Sequence, residues 1–377
     1  MPPVERHAIE FLTELLRAYS PFGHEDEASD LILSEMQKLG MRSRRDEVGN
    51  VIGEVGEKGH PALLLCGHMD TVPGLIPVRL EGDRLYGRGA VDAKSSLASM
   101  ILSAGALAEE GIEGRIAIAC VVDEEGEGRG IKNLMKDRLD IDYAIFGEPS
   151  GASNITIGYK GSMRVALRVG TESGHSSAPW LFENAIERAF ELWEAFKAFH
   201  LPGEDLGSKF YSMTSCLTKI HGGSDSTSVP SECHMTIDLR FPPQISLDEI
   251  FSGAKGLVDR FRGEHPKVGV DIGFGDITKP FEADKRSPLV RALSWAIRTA
   301  LGRQPTLLRK TGTADLNVLG ETLKVPMVAY GPGDSRLDHT PNEHVSVREY
   351  LDSIKVYKAA IRRLFELHGA QPGEGPA

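Results

Sequence analysis

Residues 62–70 read Ala-Leu-Leu-Leu-Cys-Gly-His-Met-Asp, and this stretch decides the fold. An uninterrupted apolar run too short for an ordinary helix predicts a strand buried on both faces, as in sheets covered by helices. His68 and Asp70 then stand at its carboxyl end, where open α/β sheets form their ligand crevices. Outward from this stretch the design recurs. Glu124 and Glu125 follow IAIACVVD, Glu148 follows YAIFG, Asp92 lies in GRGAVDAK and His339 in LDHTPNE. Two imidazoles and three carboxylates (His68, Asp92, Glu125, Glu148 and His339) have the ligand count for two divalent metals that share a bridging carboxylate.

At 377 residues the chain exceeds what one core usually supports, and 41% hydrophobic content suffices to bury two. No apolar run approaches the ~18 residues of a membrane span. The N-terminal MPPVERHAIEFLTELL has helical rather than signal-peptide character, so a cytoplasmic protein is expected. Cys66, Cys120, Cys216 and Cys233 lie singly in apolar or β-like stretches, without a CxxC pair, and are expected as buried reduced thiols. A net charge of −11 speaks against broad nucleic-acid binding. Two local basic groups, Lys160/Arg164/Arg168 and Arg298/Arg303/Arg309/Lys310, read as solvated faces and are also where an acidic partner would dock.

Along the chain a helix is expected over 4–17, and strands near 47–55, 61–66, 115–122, 141–147 and 155–159. A further helix over KSSLASMILSAGALAEE falls between the second and third of these strands. From about residue 161 the pattern becomes β-α-β-β-α-β, the order of a ferredoxin-like unit. The first texture then resumes with a helix at 287–301, a strand at 324–330 and a closing helix at 346–366. The expected architecture is therefore α/β: a catalytic domain of residues 1–160 and 277–377, a central mixed sheet flanked by helices, interrupted by an α+β insertion at 161–276. The tail GAQPGEGPA is expected to be disordered.

His68 and Asp70 are two apart, so on an extended segment they share a face. A carboxylate there can accept the imidazole's second N–H and raise its basicity toward a metal. Asp92 precedes a helix, where an ordinary N-cap would also place an acid. The adjacent acids Glu124 and Glu125 diverge, so one can ligate a metal while the other takes a proton from the attacking water.

In their order and spacing, GHMDTVPG, GRGAVDAK, DEEGEGRG, FGEPSG, GHSSAP and DHTPNE resemble the co-catalytic zinc aminoacylases and peptidases of the M20 type, over nearly the whole chain. The resemblance implies one zinc ion on His68 and Glu148 and another on Glu125 and His339, with Asp92 bridging; Co²⁺ is expected to substitute. It implies Glu124 as general base, Asp70 as orienter of His68, and a cis peptide at Asp92-Ala93. It also implies a homodimer in which His175 of GHSSAP reaches the partner's site to hold the oxyanion, and an arginine, here Arg240, that grips a substrate carboxylate. Thr227 and Ser228 stand where family members often carry an asparagine. KTGTADLN is most similar to the amino-acid biosynthetic deacylases, and that resemblance implies Gly312, Thr313 and Asp315 as substrate-binding residues. Among these are the enzymes that release lysine or ornithine from an acidic amino-group carrier protein. A deacylase of small molecules such as acetyl-ornithine, acetyl-lysine or succinyl-diaminopimelate, a di- or tripeptidase, and a non-catalytic binding protein on the same fold are the competing readings. Neither nucleic acid nor membrane is expected as a partner.

Overall fold

Every side chain of Ala62–His68 is buried, which makes this segment an interior strand, as its composition requires. The computed structural model describes residues 2–57, 59–136, 139–223 and 227–369. In chain order they form α1 (Pro3–Arg17), α2 (Asp26–Lys38), β1 (Arg42–Arg45), β2 (Val51–Gly56), β3 (Ala62–His68), β4 (Arg79–Glu81), β5 (Arg84–Tyr86), α3 (Lys94–Glu109), β6 (Arg115–Val121), α4 (Arg129–Leu134), β7 (Tyr143–Phe146) and β8 (Asn154–Tyr159). Next come β9 (Gly161–Gly170), α5 (Ala185–Lys197), β10 (Thr214–Gly222), β11 (Glu232–Phe241), α6 (Leu247–Glu264) and β12 (Gly269–Thr278). The rest comprises β13 (Phe281–Glu282), α7 (Pro288–Leu301), β14 (Thr306–Lys310), α8 (Asp315–Gly320), β15 (Met327–Ala329), β16 (His344–Ser346) and α9 (Val347–Gly369).

The chain divides into two units. One comprises Met1–Gly158, Ala283–Arg309 and Ala314–Ala377; the other comprises Tyr159–Glu282 and Lys310–Thr313. The first carries a mixed sheet with the strand path β1-β2-β6-β3-β7-β15-β8. Its centre, β6-β3-β7-β15, is parallel, whereas β2 meets β6 antiparallel. This fixes where the loops go: β3, β6 and β7 all end on one edge, and each is followed by a candidate ligand.

Helix α1 shows what holds the flanking layers. Pro2 makes no side-chain cap, yet Phe11, Leu12, Leu15 and Leu16 are buried on one stripe. At about 1.5–3 kcal/mol for each fully buried large apolar side chain, against ~1 for a cap, packing rather than capping holds this helix. Helix α9 buries Tyr350, Val356, Tyr357, Ile361 and Leu364, and its Ser353 hydroxyl meets that of Ser99 on α3 at 2.7 Å. A separate three-stranded antiparallel sheet, β16-β5-β4, joins the segment after His339 to the segment before Asp92.

The second unit has the element order β9-α5-β10-β11-α6-β12, and its sheet runs β10-β11-β9-β12. Alternate residues of β9 are buried, and Asn184 caps α5 while a Ser246/Glu249 capping box starts α6. Met163, Val165, Leu167, Leu192, Phe196 and Ile237 belong to its core.

Several sequence expectations need correction. The strand expected from 47 begins only at Val51, because the Asp46 carboxylate captures the N–H groups of Val48, Gly49 and Asn50 and makes a turn. Helix α2 and the short charged strands β1, β4 and β5 were not anticipated. Cys216 is exposed, since β10 is an edge strand whose residues are mostly open to solvent; the other three cysteines are buried, and all four are free. Lys160 is fully buried, its Nζ donating to Thr214 Oγ1 at 3.2 Å, and so is no part of a solvated face. Arg164 pairs with Asp276, and Arg168 with Glu232 and Asp271. Residues 370–377 of the tail, and Ser224, Asp225 and Ser226 before Thr227, lie outside the described residues. Among the described residues, no helix is long and apolar enough to cross a membrane.

Candidate metal centre

The imidazole of His68, the last residue of β3, is buried, and its Nε2 lies 3.1 Å from Asp92 Oδ1. The other oxygen of Asp92, Oδ2, is 3.2 Å from His339 Nε2, which is itself 2.8 Å from Glu125 Oε1. The five expected ligands thus fall into two groups, His68/Asp92/Glu148 and Asp92/Glu125/His339, with the ligand atoms of each group within 4.8 Å of one another. Asp92 belongs to both and offers one oxygen to each imidazole. Nitrogen and carboxylate-oxygen donors in this number suit a borderline divalent ion such as zinc. The fit is also electrostatic. Buried Asp315 and half-buried Asp92 and Glu124 lie near Glu148, and two imidazoles do not balance so many carboxylates. Buried charge of this kind requires a cation or protonation.

The backbone explains how these side chains are held. The nearest acceptor to His68 Nδ1 is the Asp70 main-chain carbonyl at 3.0 Å; the Asp70 carboxylate is 3.6 Å away. That carboxylate instead accepts the N–H groups of Glu124 and Glu125, at 3.1 and 2.9 Å. Asp123 before them has φ 62°, and its carbonyl receives Gly128 N–H at 2.7 Å, so the chain turns sharply where the two acids emerge. His339 also sits in the left-handed region at φ 60°, which a histidine adopts only where its surroundings hold it. Asp92 is not a helix cap: Ala93 holds that position, and the Asp92-Ala93 peptide is cis. Asp315 is the first residue of α8 rather than its cap, which is Ala314.

Burial pushes the Glu124 carboxyl well above its usual range, and neighbouring Asp315, Glu148 and Asp92 add to this. Burial likewise lifts Glu125, and lifts Asp315 to about 7. Burial works against the Asp92 carboxylate, but hydrogen bonds from His339 and His68 overcome it and hold its pKa low. The hydrogen bond with Asp92 raises His339 to about 9.

Two buried cations near the candidate ligands, Lys94 and Arg88, were not singled out in the sequence. Lys94 Nζ donates to the carbonyls of Leu15 and Ala18 at the end of α1, at 2.9 and 2.6 Å, and burial lowers it to about 7. Arg88 pairs with buried Glu343 at 2.8 Å. For Lys94 a signal existed, since it is the only charge in α3 before Glu109.

The second unit holds His175, Arg240, Gly312 and Thr313. His175 is exposed, and its Nδ1 accepts from the Ser177 backbone N–H and lies 2.8 Å from the Ser177 hydroxyl. The proton therefore sits on Nε2, leaving an outward donor. Residues 174–176 are tied to 227–229 by Ser176 N–H to the Thr227 carbonyl and Val229 N–H to the Gly174 carbonyl. Arg240 is braced by Asp238 at 2.8 Å and donates to Thr313 Oγ1 at 3.3 Å.

Two imidazoles and three carboxylates gathered into two groups that share one acid are the arrangement of a co-catalytic metal site, and the chain belongs to the peptidase family M20/M25/M40, whose profile matches residues 64–363. Among its relatives, a Deinococcus radiodurans protein named LysW-lysine hydrolase is 33% identical over 368 residues, covering 96% of this chain and 98% of the relative. A Sulfurisphaera tokodaii protein named LysW-lysine/LysW-ornithine hydrolase is 31% identical, covering 94% and 95%. A Pyrococcus horikoshii protein that carries the latter name provisionally is 41% identical, covering 96% and 98%. The aminopeptidase PepT from Bacillus cereus shares the fold, with a TM-score of 0.81 at 20% identity over 96% of this chain and 98% of that one.

Proposed function

We propose that this chain is a two-metal hydrolase of N-acyl amide bonds that releases free lysine or ornithine from an acidic amino-group carrier protein in cytoplasmic amino-acid biosynthesis. The observation that carries the hydrolase reading is Asp92 facing His68 with one oxygen and His339 with the other, while half-buried Glu124 belongs to neither metal group. The carrier-linked substrate rests on relatives similar over almost their whole length. Zinc is the proposed ion, with cobalt able to substitute.

The bound ions would supply Lewis acidity, polarising the acyl carbonyl and lowering the pKa of a water toward ~7. Glu124, whose affinity for protons is raised by burial, accepts the proton of the attacking water as the C–O bond forms. It returns that proton to the leaving amine as the C–N bond breaks. Nε2–H of His175, contributed by the partner in a homodimer, donates to the developing oxyanion. Arg240, already braced, receives the α-carboxylate, Asp315 pairs with the side-chain ammonium, and Gly312 and Thr313 are further substrate-binding residues. On this reading residues 1–160 and 277–377 form the catalytic domain and 161–276 the dimerisation domain.

One observation favours a second reading, a small-molecule deacylase. Arg164 and Arg168 are engaged by acids of their own sheet, which reduces the basic surface available to an acidic carrier. The deciding experiment compares lysine release by zinc- or cobalt-loaded protein from a γ-glutamyl-linked carrier–lysine conjugate and from Nα-acetyl-lysine at matched concentrations. Strong preference for the conjugate is expected; equal or better turnover of the acetyl compound would overturn the carrier assignment.

A further inference from the structure

The buried ion pair between Arg88 and Glu343 lies beside Asp92 without being one of the candidate ligands. Glu343 follows His339 by four residues, and the β16–β5 register, His344 opposite Tyr86, brings it alongside the Gly87–Asp92 segment. Gly87 N–H donates to the Glu343 carbonyl at 3.3 Å. The Glu343 side chain is 1% exposed. Its Oε1 accepts the backbone N–H groups of Val91 and Asp92, at 2.9 and 3.1 Å, and its Oε2 accepts from Arg88 Nη1 at 2.8 Å. Arg88 then reaches both ways: Nη1 donates to the carbonyl of Thr340, next to His339, and Nε to that of Gly74.

A buried ion pair is weak evidence for stability, since apolar replacements are often neutral. Here the carboxylate does something an apolar pair cannot do: it holds the peptide N–H of the residue shared by both metal groups. The same side chain belongs to the segment that carries His339. We propose that Glu343 and Arg88 are positioning residues, a clamp that sets Asp92 against His339 and thereby assembles the Asp92/Glu125/His339 group. His68 and Glu148 are placed independently, by the ends of β3 and β7. The clamp rests on the two-metal reading above but not on any choice of substrate.

The test is metal titration of metal-free protein by calorimetry, with bound ions counted per chain, for the wild type, E343Q, E343D and R88K. Wild type is expected to take two ions. E343Q is expected to keep one near wild-type affinity and to bind the second about 10–100-fold more weakly, the usual cost of removing a partner of a metal ligand. E343D keeps the charge but shortens the reach, and R88K keeps the cation but loses the fork, so each should show a smaller selective loss; these two also serve if E343Q does not fold. Two ions at wild-type affinity in all variants would overturn the clamp while leaving the metal site intact. Parallel weakening of both sites with a lowered melting temperature would overturn it too, as a merely structural role. A wild type that binds fewer than two ions would instead overturn the two-metal reading itself, and the clamp with it.

Discussion

The carboxylate of Asp70 receives the backbone N–H of Glu125 at 2.9 Å, and its other oxygen receives that of Glu124 at 3.1 Å. One acid thus sets the turn carrying both a candidate ligand and the candidate base, while its main-chain carbonyl faces His68. Asp70→Asn would turn an amide N–H₂ toward one of these N–H donors. A loss of about 10–100-fold in activity or metal affinity is expected. Steady-state kinetics combined with metal titration check this, and unchanged values would show that the turn holds itself.

Glu124 lies outside both metal groups, so Glu124→Gln should separate chemistry from metal retention. The variant is expected to bind two ions as wild type does and to lose about 10²–10⁴-fold in kcat. Bound metal and turnover measured on the same preparation decide it, and near-normal turnover would remove Glu124 from the base role.

Gly331 packs where no side chain fits. A Cβ there would meet the Glu148 carbonyl at 2.8 Å and collide with Ser96 Oγ. The first neighbour is backbone and cannot rotate away. Gly331→Ala is expected to cost about 1–3 kcal/mol, as overpacking does, and to weaken binding at the His68/Asp92/Glu148 group. Denaturant melts and metal titration would register both effects.

At the far end of β3 from His68, His60 Nδ1 lies 2.6 Å from Asp142. That hydrogen bond, reinforced by the charge of Asp142, raises the His60 pKa above 6.5. The protonated form is favoured in the folded state, so the contribution is complete below the unfolded value of ~6.5 and is lost as pH rises through the higher folded value. His60→Gln should therefore lower the melting temperature at about pH 6, below the ~6.5 reference, and leave it unchanged at about pH 9, well above it. A difference independent of pH would assign the effect to packing.

Much of the fold was legible because apolar runs report burial directly. The runs that became β3, β6 and β7 could be read as strands, and the polar residues beyond them could be read as facing one edge. Short strands such as Arg42–Arg45 were not legible, because four charged or polar residues carry no alternation; pairing with β2 makes them a strand. Helix α2 was hidden for a related reason. Buried Glu35, which pairs with His7, breaks its apolar stripe. At the site, the five candidate ligands could be named from sequence, but the Arg88–Glu343 pair could not, since it depends on strand register between segments 255 residues apart.

The two metal groups differ in when their parts exist. His68, Asp92 and Glu148 leave the ribosome within one stretch of chain, whereas His339 emerges 214 residues after Glu125, its neighbour in the second group. The first group is thus local in sequence and the second closes a long loop, so the shared acid belongs to both a local and a remote contact. A polypeptide clipped between Glu148 and His339 keeps one candidate group in a single piece and divides the other between two.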